Sequence, residues 1–342
     1  NVLPAPGTFI DGDPNPDLKW EETTDYNLGV DFGLNEDRFS GTVNLYRKET
    51  NDLLLPRPSA APSTGNIVFS NLLDGKVLNE GVELSLDYDF ANTDDFGFSA
   101  NFNVAYNRNE VQDTKFTIPT GAIRGNGLTN AFAQQLQAGQ PLFSYFMAEF
   151  TGFDGDGNPT YLDIDGNGIG DPDADKFFVG KDAQPDWNAG LSLNARYKNF
   201  DLSTYFSGQF DFYVYNATKT AFFTKSALLI GKNVTQDVVS SNENPASSVA
   251  VSTRFLEKGD FIRLSSASLG YNIPLNETSQ VNSVRLSVTG QNLFLITDYS
   301  GLDPEVSTNT GNLNDSGIPT VGIDYAAYPR PRTISFGVSA TF

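Results

Sequence analysis

The feature that most constrains this chain is strict alternation of apolar and polar residues, sustained over runs of about 10 to 14 positions. In the last run Ile334, Phe336, Val338, Ala340 and Phe342 share one face, and Thr333, Ser335, Gly337, Ser339 and Thr341 share the other. Earlier runs repeat the pattern. Tyr26, Leu28, Val30, Phe32 and Leu34 alternate with Asn27, Gly29, Asp31 and Gly33. Val82 to Phe90, Phe96 to Tyr106, Trp187 to Tyr197 and Val284 to Val288 do the same, and the runs 39–48, 200–214 and 260–273 follow more loosely. A period of two means strands with one apolar and one polar face.

Two all-β architectures accept such strands. A soluble sandwich packs the apolar faces inward, but its strands average about 5–6 residues. A transmembrane antiparallel β-barrel turns them to lipid, and about ten tilted residues cross its ~25 Å apolar band. The run lengths favour the barrel. So do the Asp, Asn and Arg on the polar faces, which a wet lumen tolerates. Aromatics make up 13% of the chain, and rings at run ends (Tyr26, Phe96, Tyr106, Trp187, Tyr271) suit an interfacial girdle.

The connections sort by length. Joints at 35–38, 91–95, 198–199 and 274–282 are short. Those at 49–78, 113–184, 215–259 and 297–330 are long and rich in Gly, Pro, Asn, Asp and Ser. Outer-membrane barrels pair short periplasmic turns with long extracellular loops. With Phe342 in the periplasm, counting back predicts nine crossings, an external location for residues 1–20, and a β-hairpin above the membrane over 142–150. Nine strands are odd and leave two edges, whereas bacterial barrels close with an even number. The chain starts at Asn1 without an initiator Met or a signal peptide. These observations together predict a C-terminal part whose remaining strands lie elsewhere.

Composition removes several functions. With no Cys and no His, thiol nucleophiles, His general bases, Ser-His-Asp triads and Cys/His zinc sites are excluded. A net charge of -20, from 22 basic and 42 acidic residues, argues against nucleic acid. Carboxylate pairs for glycoside hydrolysis are discounted, because among so many acids some pair always looks suitable. The chain reads as a non-enzyme.

One acidic loop carries metal-ligand spacing. Asp163, Asp165 and Asn167 stand at alternate positions with Gly168 at the sixth and Ile169 at the seventh, where an EF-hand loop uses a backbone carbonyl. Asp171, Asp173 and Asp175 follow. The twelfth position is Ala174 rather than Glu, so Asp173 or Asp175 would have to replace that ligand. Both readings stand here: a calcium loop, or an acidic turn without metal. The shorter Asp154-Gly155-Asp156-Gly157-Asn158 reads as a turn. Loop aromatics Phe222, Phe223, Tyr325 and Tyr328 suit sugar stacking, loop packing or contact with a partner, and the sequence does not separate these.

Several runs resemble the SusC/RagA family of TonB-linked outer-membrane transporters. They are Asn15-Pro16-Asp17-Leu18-Lys19-Trp20-Glu21, Gly139-Gln140-Pro141, Leu269-Gly270-Tyr271-Asn272-Ile273-Pro274, Gly290-Gln291-Asn292-Leu293-Phe294, Tyr299-Ser300-Gly301 with Asp303-Pro304-Glu305, and Pro331-Arg332-Thr333-Ile334-Ser335-Phe336-Gly337. They are collinear over most of the chain. The resemblance implies a 22-stranded barrel of which this chain supplies the last nine strands, in a Gram-negative, Bacteroidetes-like outer membrane. It also implies a plug and TonB box outside this sequence, coupling to the TonB complex, and a SusD-like surface lipoprotein. The implied activity is import of a large nutrient, an oligosaccharide or a peptide. The alternative is a structural or interaction barrel in a secretion or adhesion complex.

Overall fold

The computed structural model describes residues 12–58, 67–72, 75–125, 128–276, 281–306 and 321–342. Most of the expected external segment 1–20 and much of the connection 297–330 therefore lie outside the described residues.

The alternating runs form one antiparallel sheet of nine strands in chain order. We number them β1 (Glu22–Leu34), β2 (Phe39–Asn51), β3 (Lys76–Asn92), β4 (Phe96–Gln112), β5 (Trp187–Tyr197), β6 (Phe200–Phe210), β7 (Phe261–Asn272), β8 (Ser283–Thr297) and β9 (Thr333–Thr341). The nine crossings expected from parity are the nine observed. Register is unbroken from β1 to β2 and from β4 to β5, where Leu191 stands opposite Phe102 and Leu193 opposite Ala100. Because side chains alternate, pairing of this kind lines most apolar residues of the strands on one face, while Val77, Val111, Phe261 and Leu295, near strand ends, lie on the other and pack into small cores with the connections.

That face is open. Even on interior strands Leu45 is 46% exposed, Leu202 43% and Leu269 49%, as suits side chains that face lipid. At its short-turn end the face carries a run of touching rings. Phe32, Phe39, Tyr88, Phe90 and Phe98 follow one another at centroid separations of 4.5–6.0 Å. At the other end the rings of Tyr106 and Trp187 meet at a tilt, with centroids 4.8 Å apart. One position beyond Tyr106 and Val82 on the same face, charge takes over. Arg47 reaches Glu80 at 3.4 Å and Glu49 at 2.9 Å, and Arg108 lies 3.8 Å from Glu110. The apolar band thus has a ring border at each end and an ionic border above the second, as the membrane interface requires.

β3 and β4 run to 17 residues each, longer than the expected 82–90 and 96–107. Their extra residues go on pairing with each other past the ionic border, and there Val111 exchanges backbone hydrogen bonds with Gly139 and Gln140 of the connection.

The long connections are folded. Four smaller sheets arise from them among the described residues. Ile123, Ala133, Tyr145, Met147 and Ala183 from 113–184 share one core with Tyr215, Ala217, Val251 and Phe255 from 215–259 and with Ile323 from 297–330. Tyr145, Met147 and Tyr215 are fully buried there. Each such side chain contributes about 1.5–3 kcal/mol, so three loops are held as one cap.

The segment 142–150, expected as a strand of a hairpin, supplies the shorter strand Ser144–Met147, which pairs antiparallel with the preceding strand Leu128–Leu136. Ser144–Met147 is a single strand placed between two others, with Tyr145 opposite Gln134 and Ser144 opposite Asp182. Both neighbours are needed because Tyr145 and Met147 lie buried on one side of it.

β1 and β9 each pair on one side only among the described residues. Unpaired backbone groups in hydrocarbon cost several kcal/mol each, so both edges require strand partners in the membrane.

Candidate functional site: the lumen wall and its cap

The polar faces of the nine strands form the opposite, concave wall. A hollow of about 470 Å³ opens on it between β2 and β7, lined by Thr42, Asn44, Glu83, Asn103, Asn188 and Gln209 together with Tyr205 and Ser207. The wall side chains bond to one another across strands. Tyr46 donates to Asn107 Oδ1 (2.7 Å), Asn101 to Asp87 (2.8 Å), Thr42 to Asp31 (2.6 Å) and Gln209 to Asn188 (3.0 Å). Cross-strand amide and hydroxyl pairs of this kind hold a wetted surface in fixed geometry.

The cap reaches down onto this wall through one buried arginine. Arg263 on β7 is 2% exposed. It donates through Nη2 to Asp303 at 2.6 Å and through Nη1 to Asn292 Oδ1 at 2.5 Å. Asn292 sits at a bulge in β8 with φ 52° and donates in turn to the Arg330 carbonyl at 2.6 Å. Glu305 lies 3.4 Å from Arg263 Nε and 2.8 Å from Arg330, which brings it over the hollow. Asn292, Asp303 and Glu305 are motif residues in the sequence, but nothing there assigns them a shared arginine.

A second cluster missed by the sequence reading lies at the foot of the cap. Asp182 is pushed up to about 7, first by burial and then by the charges of Asp186 and Asp211. Its carboxylate accepts the Gln184 backbone N–H at 3.0 Å.

The acidic loop is partly assembled as the spacing predicts. Asp163, Asp165 and Asp175 each bring a carboxylate oxygen within 4.8 Å of the others. Asp163 accepts the N–H groups of Gly166 and Gly168, both at 2.7 Å. Asp175 is buried and accepts from Ile164 at 2.9 Å and Asp171 at 2.7 Å. The backbone N–H groups of Asp171 and Ile164 hold its carboxyl below the usual carboxylate range. The other candidates point elsewhere. Asn167 Oδ1 accepts the Ile169 N–H, Asp171 accepts from Asp173, and Asp173 pairs with Lys176 at 3.0 Å while 91% exposed. Ile169 is 69% exposed. Asp154 accepts from Asp156 and Asn158, as a turn requires.

The loop aromatics divide. Phe222 stacks on Tyr325 at 6.1 Å, joining two connections, and Lys232 lies over the same ring. Phe223 and Tyr328 line an open hollow, with Tyr328 96% exposed.

A lipid-facing band with ring borders, a polar concave wall and a folded cap from the long connections define a section of an outer-membrane β-barrel. The chain belongs to the TonB-dependent receptor β-barrel family: residues 3–293 match the model described as "TonB dependent receptor-like, beta-barrel". TonB-dependent receptor P3 of Formosa agariphila is 30% identical over 98% of this chain and 36% of its own length. TonB-dependent receptor SusC of Bacteroides thetaiotaomicron is 28% identical over 96% of this chain and 32% of its own. The solved RagAB peptide transporter shares the fold, with a TM-score of 0.76 at 24% identity over 96% of this chain and 36% of that one. The SusC/RagA resemblance is borne out. The chain spans about a third of the length of these relatives, as 36% and 32% show, and its nine strands are the C-terminal section of such a barrel.

Proposed function

We propose that this chain forms the C-terminal wall of an active importer for a large nutrient, an oligosaccharide or a peptide. The observation that carries the reading is a polar wall, bonded into fixed geometry, lying beneath a cap that three connections build around one core. Such a wall offers a wet route, and the cap offers a surface for a SusD-like lipoprotein. The names of SusC and of the RagAB peptide transporter support the same reading. Energy would enter through TonB, by way of a plug and a TonB box outside this sequence, in a Bacteroidetes-like outer membrane.

The test is gene deletion in the native host, with uptake of labelled oligosaccharide and peptide pools measured before and after TonB is disabled. Loss of the same uptake in both strains is the expected result. Unchanged uptake in the deletion strain would instead favour a structural or adhesive barrel.

We also propose calcium at Asp163, Asp165 and Asp175. The support is the convergence of three carboxylates, with oxygen donors suited to a hard cation and with Asp175, at the thirteenth position, in place of the missing twelfth Glu. Each carboxylate oxygen of Asp163 accepts one N–H and retains a lone pair. Terbium luminescence on the full-length receptor should show a site displaced by calcium and lost in Asp163→Asn. An equal signal in that variant would reject it.

A further inference from the structure

On the side of the long connections the lipid-side face ends in a row of charges, and register sets where that row stands. Leu45 is opposite Val82 and Val82 opposite Tyr106, whose ring meets Trp187. One row further Arg47 is opposite Glu80 and Glu80 opposite Arg108. Rows on one face lie two residues apart, about 7 Å, so the Arg108 guanidinium stands at the edge of the apolar band. β2, β3 and β4 have neighbours on both sides, and this face is turned away from the lumen. Strands added at β1 or β9, or a plug in the lumen, therefore leave the place open.

The two arginines differ. Arg47 donates Nε and Nη2 to Glu49 Oε1 at 3.1 and 2.9 Å, and Nη1 to Glu80 at 3.4 Å. Arg108 approaches Glu110 only to 3.8 Å, beyond hydrogen-bond range. Asp186 feels its charge without bonding to it. Its side chain is 65% exposed, and among the described residues it donates no hydrogen bond. Glutamates balance the arginines here, so the patch does not draw an anion by net charge. What it offers is a planar fork of donors at the hydrocarbon border, where a charge-assisted bond to phosphate is screened less than in bulk water. Directly below, Leu45 and Val82 are 46% and 41% exposed and present apolar surface. A ligand that fits both parts carries an anionic head on acyl chains. The outer leaflet of a Gram-negative outer membrane is built of such a phosphorylated glycolipid, and the long connections turn this end toward it. Glu80 and Glu110, beside the fork, suit the divalent cations that accompany its phosphates.

From this juxtaposition we infer that Arg108 anchors the phosphate of an outer-leaflet glycolipid, whose acyl chains run down over Leu45, Val82 and Tyr106. The inference is independent of what the barrel imports and uses only the orientation given by the loop lengths.

The test uses the full-length receptor, taken from its membrane into detergent and supplied with glycolipid purified from the host outer membrane. Native mass spectrometry reads the glycolipid that the receptor retains. The parent should retain it, and Arg108→Ala should retain at least several-fold less. Glycolipid stripped of its phosphates by a phosphatase should be retained by the parent as poorly as the intact lipid is by the variant. That arm needs no substitution, so the site remains testable should Arg108→Ala fail to assemble. An excess of inorganic phosphate should leave retention by the parent unchanged. Equal retention by parent and variant, or of intact and stripped glycolipid, overturns the site. Competition by inorganic phosphate, or equal retention of phosphatidylglycerol, overturns the assignment to this lipid.

Discussion

Arg285 on β8 reaches across the whole width of β7 to grip Asp201 on β6 with both terminal nitrogens, the Nη2 contact measuring 2.6 Å. It can do so because the residue between them is Gly270, where a Cβ would collide with the guanidinium. The glycine of the Leu269-Gly270-Tyr271 motif is thus a gap in the lumen wall, and the pair closes three strands near their short-turn end.

This geometry makes the two sites interdependent. Asp201→Asn should cost about 1 kcal/mol or less, since both partners are about one-third exposed to water. Gly270→Val should cost more, and in the double variant the cost should be less than the sum. Unfolding midpoints of the full-length receptor measure it, and simple additivity would deny the contact.

Stability should depend on pH through Asp182. Its folded pKa, about 7, is raised above that of an unfolded aspartate. The folded state therefore holds the proton longer, and stability falls as pH rises from about 4 to about 7, then levels. The loss has an upper bound of about 4 kcal/mol. Asp182→Asn should stabilise the receptor relative to the parent at pH 8 and not at pH 4. Thermal scans at both values check the sign.

Removing Arg263 leaves Asp303 buried without its partner. Arg263→Ala should cost about 3–5 kcal/mol, whereas Arg263→Met with Asp303→Leu should recover most of it. Limited proteolysis should cut near residues 298–306 faster in the single variant than in the double.

These effects differ in how far the sequence reveals them. The nine strands were legible because alternation is local: Phe98, Phe102 and Val104 announce their face within one run. The inner wall followed from the same alternation. The cap was not legible. Tyr145, Phe255 and Ile323 meet in one core from three connections, and short strands such as Ser144–Met147 are too brief to show a period. Asp163 and Asp165 were recognisable from spacing, but Asp175 rather than Asp173 closes the cluster, a choice made by backbone N–H groups at Ile164 and Asp171. Arg263 and Asp303 lie 40 residues apart and show no pattern at all.

The two one-sided edges give a further expectation. Residues 1–342 expressed alone should yield no heat-modifiable, membrane-inserted monomer, because among the described residues β1 and β9 each pair on one side only. Recovery of a stable closed barrel from this segment would contradict the edge argument.

The central claim is that one face of these strands meets lipid and the other meets water. The chain has no cysteine, so single cysteines can be placed freely in the full-length receptor. The most direct measurement is a scan of β4 from Gly97 to Ala105 in intact outer membranes, labelling each position with a water-soluble and with a lipid-soluble thiol reagent. The account predicts a period of two, with Ser99, Asn101 and Asn103 labelled from water and Phe98, Phe102 and Val104 from lipid. A scan with no alternation, or with the phase reversed, would contradict it.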